Sequence, residues 1–575
     1  MNYFFLVVTL VLFFSSYTQT SNNYLKEGNK KIELKDYAGA IKDFTSAIES
    51  NSKFEEAYFN RGNAYDFLGN FKKAEEDFSN VIELNPKNFE AFRRRGRVRR
   101  EQGKFNSALE DYDKAIELNP KYSDAYSGRG NTRRELQDFI GAINDYTEAI
   151  KLNPSFEFAY FNRGLAYENI GDYKSAILDF SKYISLNPTD FEAYFNRGYN
   201  KRKISDLNGA IIDFNKAIEL KDTFFEAYYQ RGVVKSFSGD NNSAILDYTR
   251  AIELNPKNYY YALHDRGLAK EYLGDYNGAM ADFNKAVDID SENSDGYNSR
   301  GVLKEILKDF DGALSDYNKA IDLNPQFPLV LGNRASIKRK LGDIQGALQD
   351  YNKCIQLDTN DYRGYLGRAD LKEQLGDFRG AIKDFSKVIL LGGANTDVYF
   401  KRGVFKYEIN DYQGALTDFN KVIELDPNYP NVYFNKGISL VSLGDYNGGL
   451  IQFNNDLKLN PKDPKTISSK GDTKFKLQDF TGAISEFNKA IEIDPNFSRA
   501  YAGRGIAKGS LNDFRGALND FNMAIQLDPE DTSSYVNRGH TKLKLNQKEG
   551  ACLDWSKAGE LGDMEAYDLI TEYCN

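Results

Sequence analysis

The chain is poor in the residues that most often do chemistry. Its 575 residues hold two histidines, three cysteines and one tryptophan. His264 and His540 stand far apart, and no zinc-ligand spacing can be assembled around them. A nucleophile elbow, a phosphate-binding loop and a dinucleotide glycine motif are all missing. Catalysis, a metal and a cofactor are therefore not expected. An excess of basic charge is missing too: net charge is −9 and the pI about 5.3, which argues against nonspecific nucleic-acid binding as the main role. The one long apolar run, Met1 to Phe14, is short for a membrane span.

Proline is scarce as well, and its placement turns absence into pattern. Ten of the thirteen prolines, from Pro86 to Pro529, fall at one position of a recurring segment. Residues Glu55 to Asn88 are one copy, 34 residues long. Ala57, Tyr58, Gly62, Tyr65 and Leu68 lie on the i, i+3, i+4 positions of one helix. Ala74, Phe78, Val81, Ile82 and Leu84 lie on those of a second. Gly69-Asn70 breaks the chain between them, a turn short enough to force the helices antiparallel. Asn85-Pro86 ends the second helix, because proline lacks an N–H donor and pushes its predecessor out of the α region.

The glycine at Gly62 returns at Gly96, Gly130, Gly164, Gly198 and Gly232, slips by one residue to Gly267, and continues to Gly539, with alanine only at Ala335 and Ala369. A position restricted to Gly or Ala marks a close approach of two helices. With Gly28 the chain carries sixteen units. The period and its small-residue, aromatic and proline pattern resemble the tetratricopeptide repeat family over about residues 21 to 565. Tyrosine stands where the family has an early tryptophan, as at Tyr58, Tyr126, Tyr160 and Tyr194. The resemblance implies an all-α fold: a right-handed superhelical solenoid of about sixteen helical hairpins closed by a C-terminal capping helix.

The expected organisation is a signal peptide over residues 1–20, a repeat array over 21–563, and a capping helix and tail over 564–575. Small residues between Ser15 and Thr20 suit a signal peptidase; no Lys or Arg precedes the apolar run, so an uncleaved anchor and a cytoplasmic helix stay open as alternatives. Cys354 replaces the small core residue found as Ala320 one unit earlier and reads as a packed thiol. Cys552 and Cys574 are expected as two free thiols, with a bridge the alternative in an oxidising compartment. One extra residue enters the link near Asn258.

Charge is periodic too. From the second unit onward Arg or Lys precedes the small residue, a second cation follows four residues later in most units, and a carboxylate precedes the second-helix aromatic in all but one. Arg61 with Asp77, Arg95 with Asp111 and Arg129 with Asp145 are read as rungs of a structural ion-pair ladder, because a half-buried guanidinium needs a partner. In the thirteenth unit Leu440, Gln452 and Asp456 break the pattern together and are expected to compensate one another.

The resemblance implies that first helices line a binding surface for extended peptides or helices, at the second, fifth, ninth and twelfth unit positions. Two patches follow. Arg93, Arg97, Arg100 and Arg134 offer forked donors to an acidic tail, with solvated surface charge as the plain alternative. Phe400, Val404 and Tyr407, with Phe434, Ile438 and Val441 one unit later, form an apolar patch. Phe161, Phe195 and Tyr229 form a shorter aromatic row upstream. Packing between adjacent first helices is the alternative for both apolar sets. The family's Lys-Asn-Arg clamp for a terminal carboxylate has no position-by-position match here, so that specificity is not carried over. The sequence reads as an exported, non-catalytic scaffold that binds proteins through peptide or helical segments, in a periplasm or cell envelope. The rival is a structural or membrane-tethered assembly component, with membrane contact only if the leader is retained.

Overall fold

The computed structural model describes residues 19–257 and 259–574; the apolar leader and Asn258 lie outside them. Every regular element among the described residues is an α-helix. The chain falls into two compact units. Met1–Ser291 carries eight hairpins, and Glu292–Asn575 carries eight more and a last helix, Ala566–Tyr573.

One hairpin explains the rest. In the fifth, Glu157–Asn169 and Tyr173–Leu186 pack antiparallel across Gly171-Asp172. Gly171 takes φ +80° to end the first helix, and the Asp172 carboxylate accepts the Ser175 N–H at 3.1 Å to start the second. The repeating small residue sits against the aromatic of its own second helix. A Cβ on Gly164 would lie 3.0 Å from the Phe180 ring, and one on Gly301 2.7 Å from that of Tyr317. Sixteen such hairpins follow in order, the first made of residues 19–33 and Tyr37–Ser50. The extra residue lengthens the link between Leu254 and Tyr260 and leaves both flanking helices intact.

Stacking depends on a volume exchange that the periodicity alone does not reveal. The residue just before many first helices is aromatic and faces a small residue of the preceding second helix. Phe54 packs with Ala47, Tyr122 with Ala115, Phe156 with Ala149 and Phe497 with Ala490. Where that link residue is Asn or Asp, the preceding helix usually presents a larger side chain: Val81 before Asn88, Tyr183 before Asp190, Cys354 before Asp361 and Val388 before Asn395. The Tyr183 hydroxyl reaches Asp190 at 2.7 Å and closes its junction. Filling the gap from either side keeps the interior close-packed.

The last hairpin is closed as expected by a helix. Leu569 and Ile570 pack against the cluster around Trp555, and the Tyr573 ring lies 5.7 Å from it. Cys552 and Cys574 are joined in a disulfide, Cα–Cα 5.9 Å, which corrects the expectation of two free thiols. The hairpin and the closing helix approach one another over 22 residues of sequence, a distance that spacing alone does not set. Cys354 is buried, and burial pushes its thiol up to about 11.

Candidate functional site

The ladder comes first, because it determines which charges are left for a partner. In the fifth hairpin Arg163 donates Nε and Nη2 to the two oxygens of Asp179, both at 2.7 Å. Its Nη1 donates to Thr147 of the preceding hairpin at 2.9 Å, and its guanidinium lies 5.8 Å from the Tyr160 ring. The same arrangement joins Arg61 to Asp77 and Thr45, Arg95 to Asp111 and Ser79, and Arg129 to Asp145 and Asp113. Each arginine is thus a clip between successive hairpins as well as a rung within one. The clip was missed in the sequence, although a Ser, Thr, Asn or Asp recurs right after the second-helix aromatic and marks it.

Burial is the larger influence on Asp77, Asp111, Asp145 and Asp179, and holds these carboxyls above their ordinary value despite the guanidinium beside each. Despite burial, the guanidiniums of Arg61, Arg129 and Arg163 are held above their ordinary value by the same carboxylates, and Asp350 and Glu486, each with at least two cations beside it, lie below theirs. In the first unit Glu27 turns to Lys30, and Lys31 supplies the cation for Asp43 at 2.7 Å.

The thirteenth hairpin departs from its expected compensation. Asp456 does not meet Lys436. It accepts the Phe434 N–H at 3.2 Å and the Thr466 hydroxyl at 2.8 Å, capping a first helix that starts late, at Val432. Burial alone lowers the Lys436 ammonium.

The arginine patch is largely neutralised from within. Arg93 pairs with Glu90 at 2.8 Å and lies over Tyr122; Arg97 pairs with Asp66; Arg100 meets Glu101 at 2.5 Å and Glu135 at 3.8 Å. Among the described residues Arg134 alone of the four has no ion pair. The upstream aromatic row is spent on packing. Phe161 lies against Phe180 and Tyr183, Phe195 against Phe214 and Phe224, and Tyr229 against Tyr248 and Tyr259.

In the downstream patch Phe400 packs on Phe419 and Tyr429 in the same way, and the patch also borders open space. Phe400 and Val404 line a concavity of about 520 Å³ with Leu366, Phe385 and Phe405. Tyr407, Ile438 and Val441 line a second, of about 710 Å³, with Phe475 and Ile506. Phe434 packs on Phe453, 6.0 Å between centroids, and lines neither of these two. Both hollows lie over first helices, and each borders a polar link residue, Asn395 or Asp531, where other junctions carry an aromatic.

His264 stacks on Tyr260 with its Nδ1 3.2 Å from Asp265 Oδ1, and His540 meets Trp555 edge-on. Among the described residues no group of His, Cys, Asp and Glu is placed to hold a metal, and no helix is long and apolar enough to cross a membrane.

Family models match along the chain. Two described as tetratricopeptide repeat match residues 55–88 and 158–190, and 191–224, 225–258, 260–293, 294–327, 330–361 and 465–497. A third, described as TPR repeat, matches 96–136, 130–171 and 405–444. No curated protein matches the chain in sequence. Among solved structures, MamA is 31% identical over 28% of this chain and 94% of its own, with a TM-score of 0.28. YrrB, described as a TPR protein with an unusual peptide-binding site, is 23% identical over 33% of this chain and 98% of its own, TM-score 0.32. Yeast Tom70 is 18% identical over 84% and 94%, TM-score 0.30. Superpositions at these scores carry no weight for function.

Proposed function

Because the chain belongs to the tetratricopeptide repeat family, whose arrays are protein-interaction scaffolds, we propose that it is a non-catalytic scaffold that binds peptide or helical segments of partner proteins on its first-helix face. One observation carries the reading: two adjoining hollows over the first helices of hairpins eleven to sixteen, walled by half-buried apolar side chains and rimmed by charge. Apolar ground that the fold leaves uncovered is where a partner gains most. Val404 and Tyr407, one helical turn apart, join the two hollows into a track long enough for an extended segment.

We place this scaffold outside the cytoplasm, in a periplasm or cell envelope. The apolar leader supports that reading, and so does the Cys552–Cys574 disulfide, since such bonds persist in oxidising compartments. The test is capture from envelope extract by the full chain and by a Val404→Asp, Ile438→Asp variant. Loss of the captured proteins with the variant supports the reading; unchanged capture refutes it.

A further inference from the structure

The hollow between hairpins eleven and twelve has a chemistry of its own. Asn395 lines it, at a link position where several other junctions carry Phe or Tyr. The link is also pared down: Gly393 lies so close to Tyr362 that a Cβ there would be 2.2 Å from its ring. The floor is apolar, made by Phe385, Leu366 and Val404. The rim carries three carboxylates, Asp370, Glu373 and Asp397, against one cation, Lys401.

Lys401 spans Asp370 Oδ1 and Glu373 Oε2, both at 2.9 Å, and the Tyr429 hydroxyl donates to Asp397 Oδ1 at 2.5 Å. Each carboxylate thus keeps a second oxygen to offer, and the rim holds two negative charges in excess. An apolar shaft ending in an acidic rim complements one kind of side chain, the long stem and charged head of arginine or lysine.

We propose that this hollow takes a cationic side chain, flanked by a bulky apolar one, from an extended segment of a partner protein. The inference rests on the scaffold reading above and names the chemistry its partner presents. The stem lies along Leu366 and Val404, the head meets Asp370, Glu373 and Asp397, and the segment continues past Tyr407 into the second hollow. An acidic segment meets repulsion at the same rim.

The test uses the full chain and fluorescence anisotropy with three labelled heptapeptides in which leucine alternates with arginine, glutamine or glutamate. The arginine peptide is expected to bind about tenfold or more tighter than the glutamine peptide at low salt, with the gap narrowing as salt rises. Asp370→Asn, Glu373→Gln, Asp397→Asn together are expected to erase that preference while leaving the glutamine peptide unchanged. Asp311→Asn, Glu424→Gln, Glu492→Gln, which remove as many charges from second helices, are expected to preserve it. Lys401→Gln, which removes the competing cation, is expected to tighten the arginine peptide, so the proposal does not depend on one variant folding. No preference for arginine, or a preference that survives the rim variant, overturns the proposal. If proteins are still captured on the first-helix face while the rim variant changes nothing, only this inference fails. If Val404→Asp, Ile438→Asp also leaves capture unchanged, the scaffold reading fails with it.

Discussion

Removing Asp179 alone is expected to harm the fifth hairpin far more than removing Asp179 and Arg163 together. Asp179 is about 6% exposed and accepts both of its ion-pair bonds from Arg163, whose side chain is about 15% exposed. No second cation intervenes, because Tyr167 occupies that position. Asp179→Ala leaves a half-buried guanidinium with only Thr147 and the faces of Tyr160 and Tyr167, and breaking one side of such a pair costs about 3–5 kcal/mol. Arg163→Met with Asp179→Ala removes both charges. Thr147 keeps its own bond to the Ile143 carbonyl at 2.7 Å, and burial already holds the Asp179 carboxyl above its ordinary value, so little net stabilisation is forfeited. The double change should cost about 1–2 kcal/mol, mostly from the small void it leaves. A repeat array opens locally, so the assay is hydrogen exchange of the amides in Glu157–Leu186. A difference of about 2–3 kcal/mol appears as exchange roughly thirty- to 150-fold faster in the single variant than in the double. Equal exchange in the two would refute the ladder.

Three further outcomes follow from the structure. Burial raises Glu75, but hydrogen bonds from Lys104, Arg99 and Gln102 outweigh it and hold the carboxyl at about 2. Its stabilisation is therefore complete above about pH 4.5 and lost as pH falls toward 2; because the site is partly open to solvent, Glu75→Gln should remove only about 1 kcal/mol of that acid sensitivity in thermal unfolding followed by circular dichroism from pH 6 to 2. Trp555 is the one tryptophan in the chain and is fully buried beside Tyr573, so Cys574→Ser or reduction should loosen the closing helix by about 3 kcal/mol and shift tryptophan emission to the red. Gly301→Leu should destabilise the ninth hairpin by about 3 kcal/mol or more, measured by hydrogen exchange, because a Cβ there already meets the Tyr317 ring at 2.7 Å. Gly301→Ala should cost far less, since Ala335 and Ala369 occupy the equivalent position.

The sequence made the hairpins legible because each depends on local signals: two helical apolar sets, a Gly-Asp or equivalent turn, a proline stop and a residue too small to hold two helices apart. Charge periodicity revealed the rungs for the same reason, since Arg163 and Asp179 lie on facing helices of one unit. What escaped notice depended on pairs in different units. The exchange between Tyr183 and Asp190, or between Ala115 and Tyr122, becomes visible only when two columns of the repeat are compared. The reach of Arg163 to Thr147 requires knowing how hairpins stack. Single positions also misled at the candidate site. Arg93 and Arg100 looked available although Glu90 and Glu101 stand on their own helix, and of the four carboxylates only Asp66 and Glu135 reach the patch from neighbouring hairpins. Phe161 and Phe400 occupy the same unit position and both pack on rings, Phe161 on Phe180 and Tyr183, Phe400 on Phe419 and Tyr429, while Phe400 also lines a hollow.

The most direct test of a first-helix scaffold places a photo-crosslinking residue at Ile438, on a first helix, or at Ile451, on the second helix of the same hairpin, in native cells. Defined partner adducts should form from Ile438 and be missing from Ile451. Adducts from both alike, or from Ile451 alone, would contradict the account.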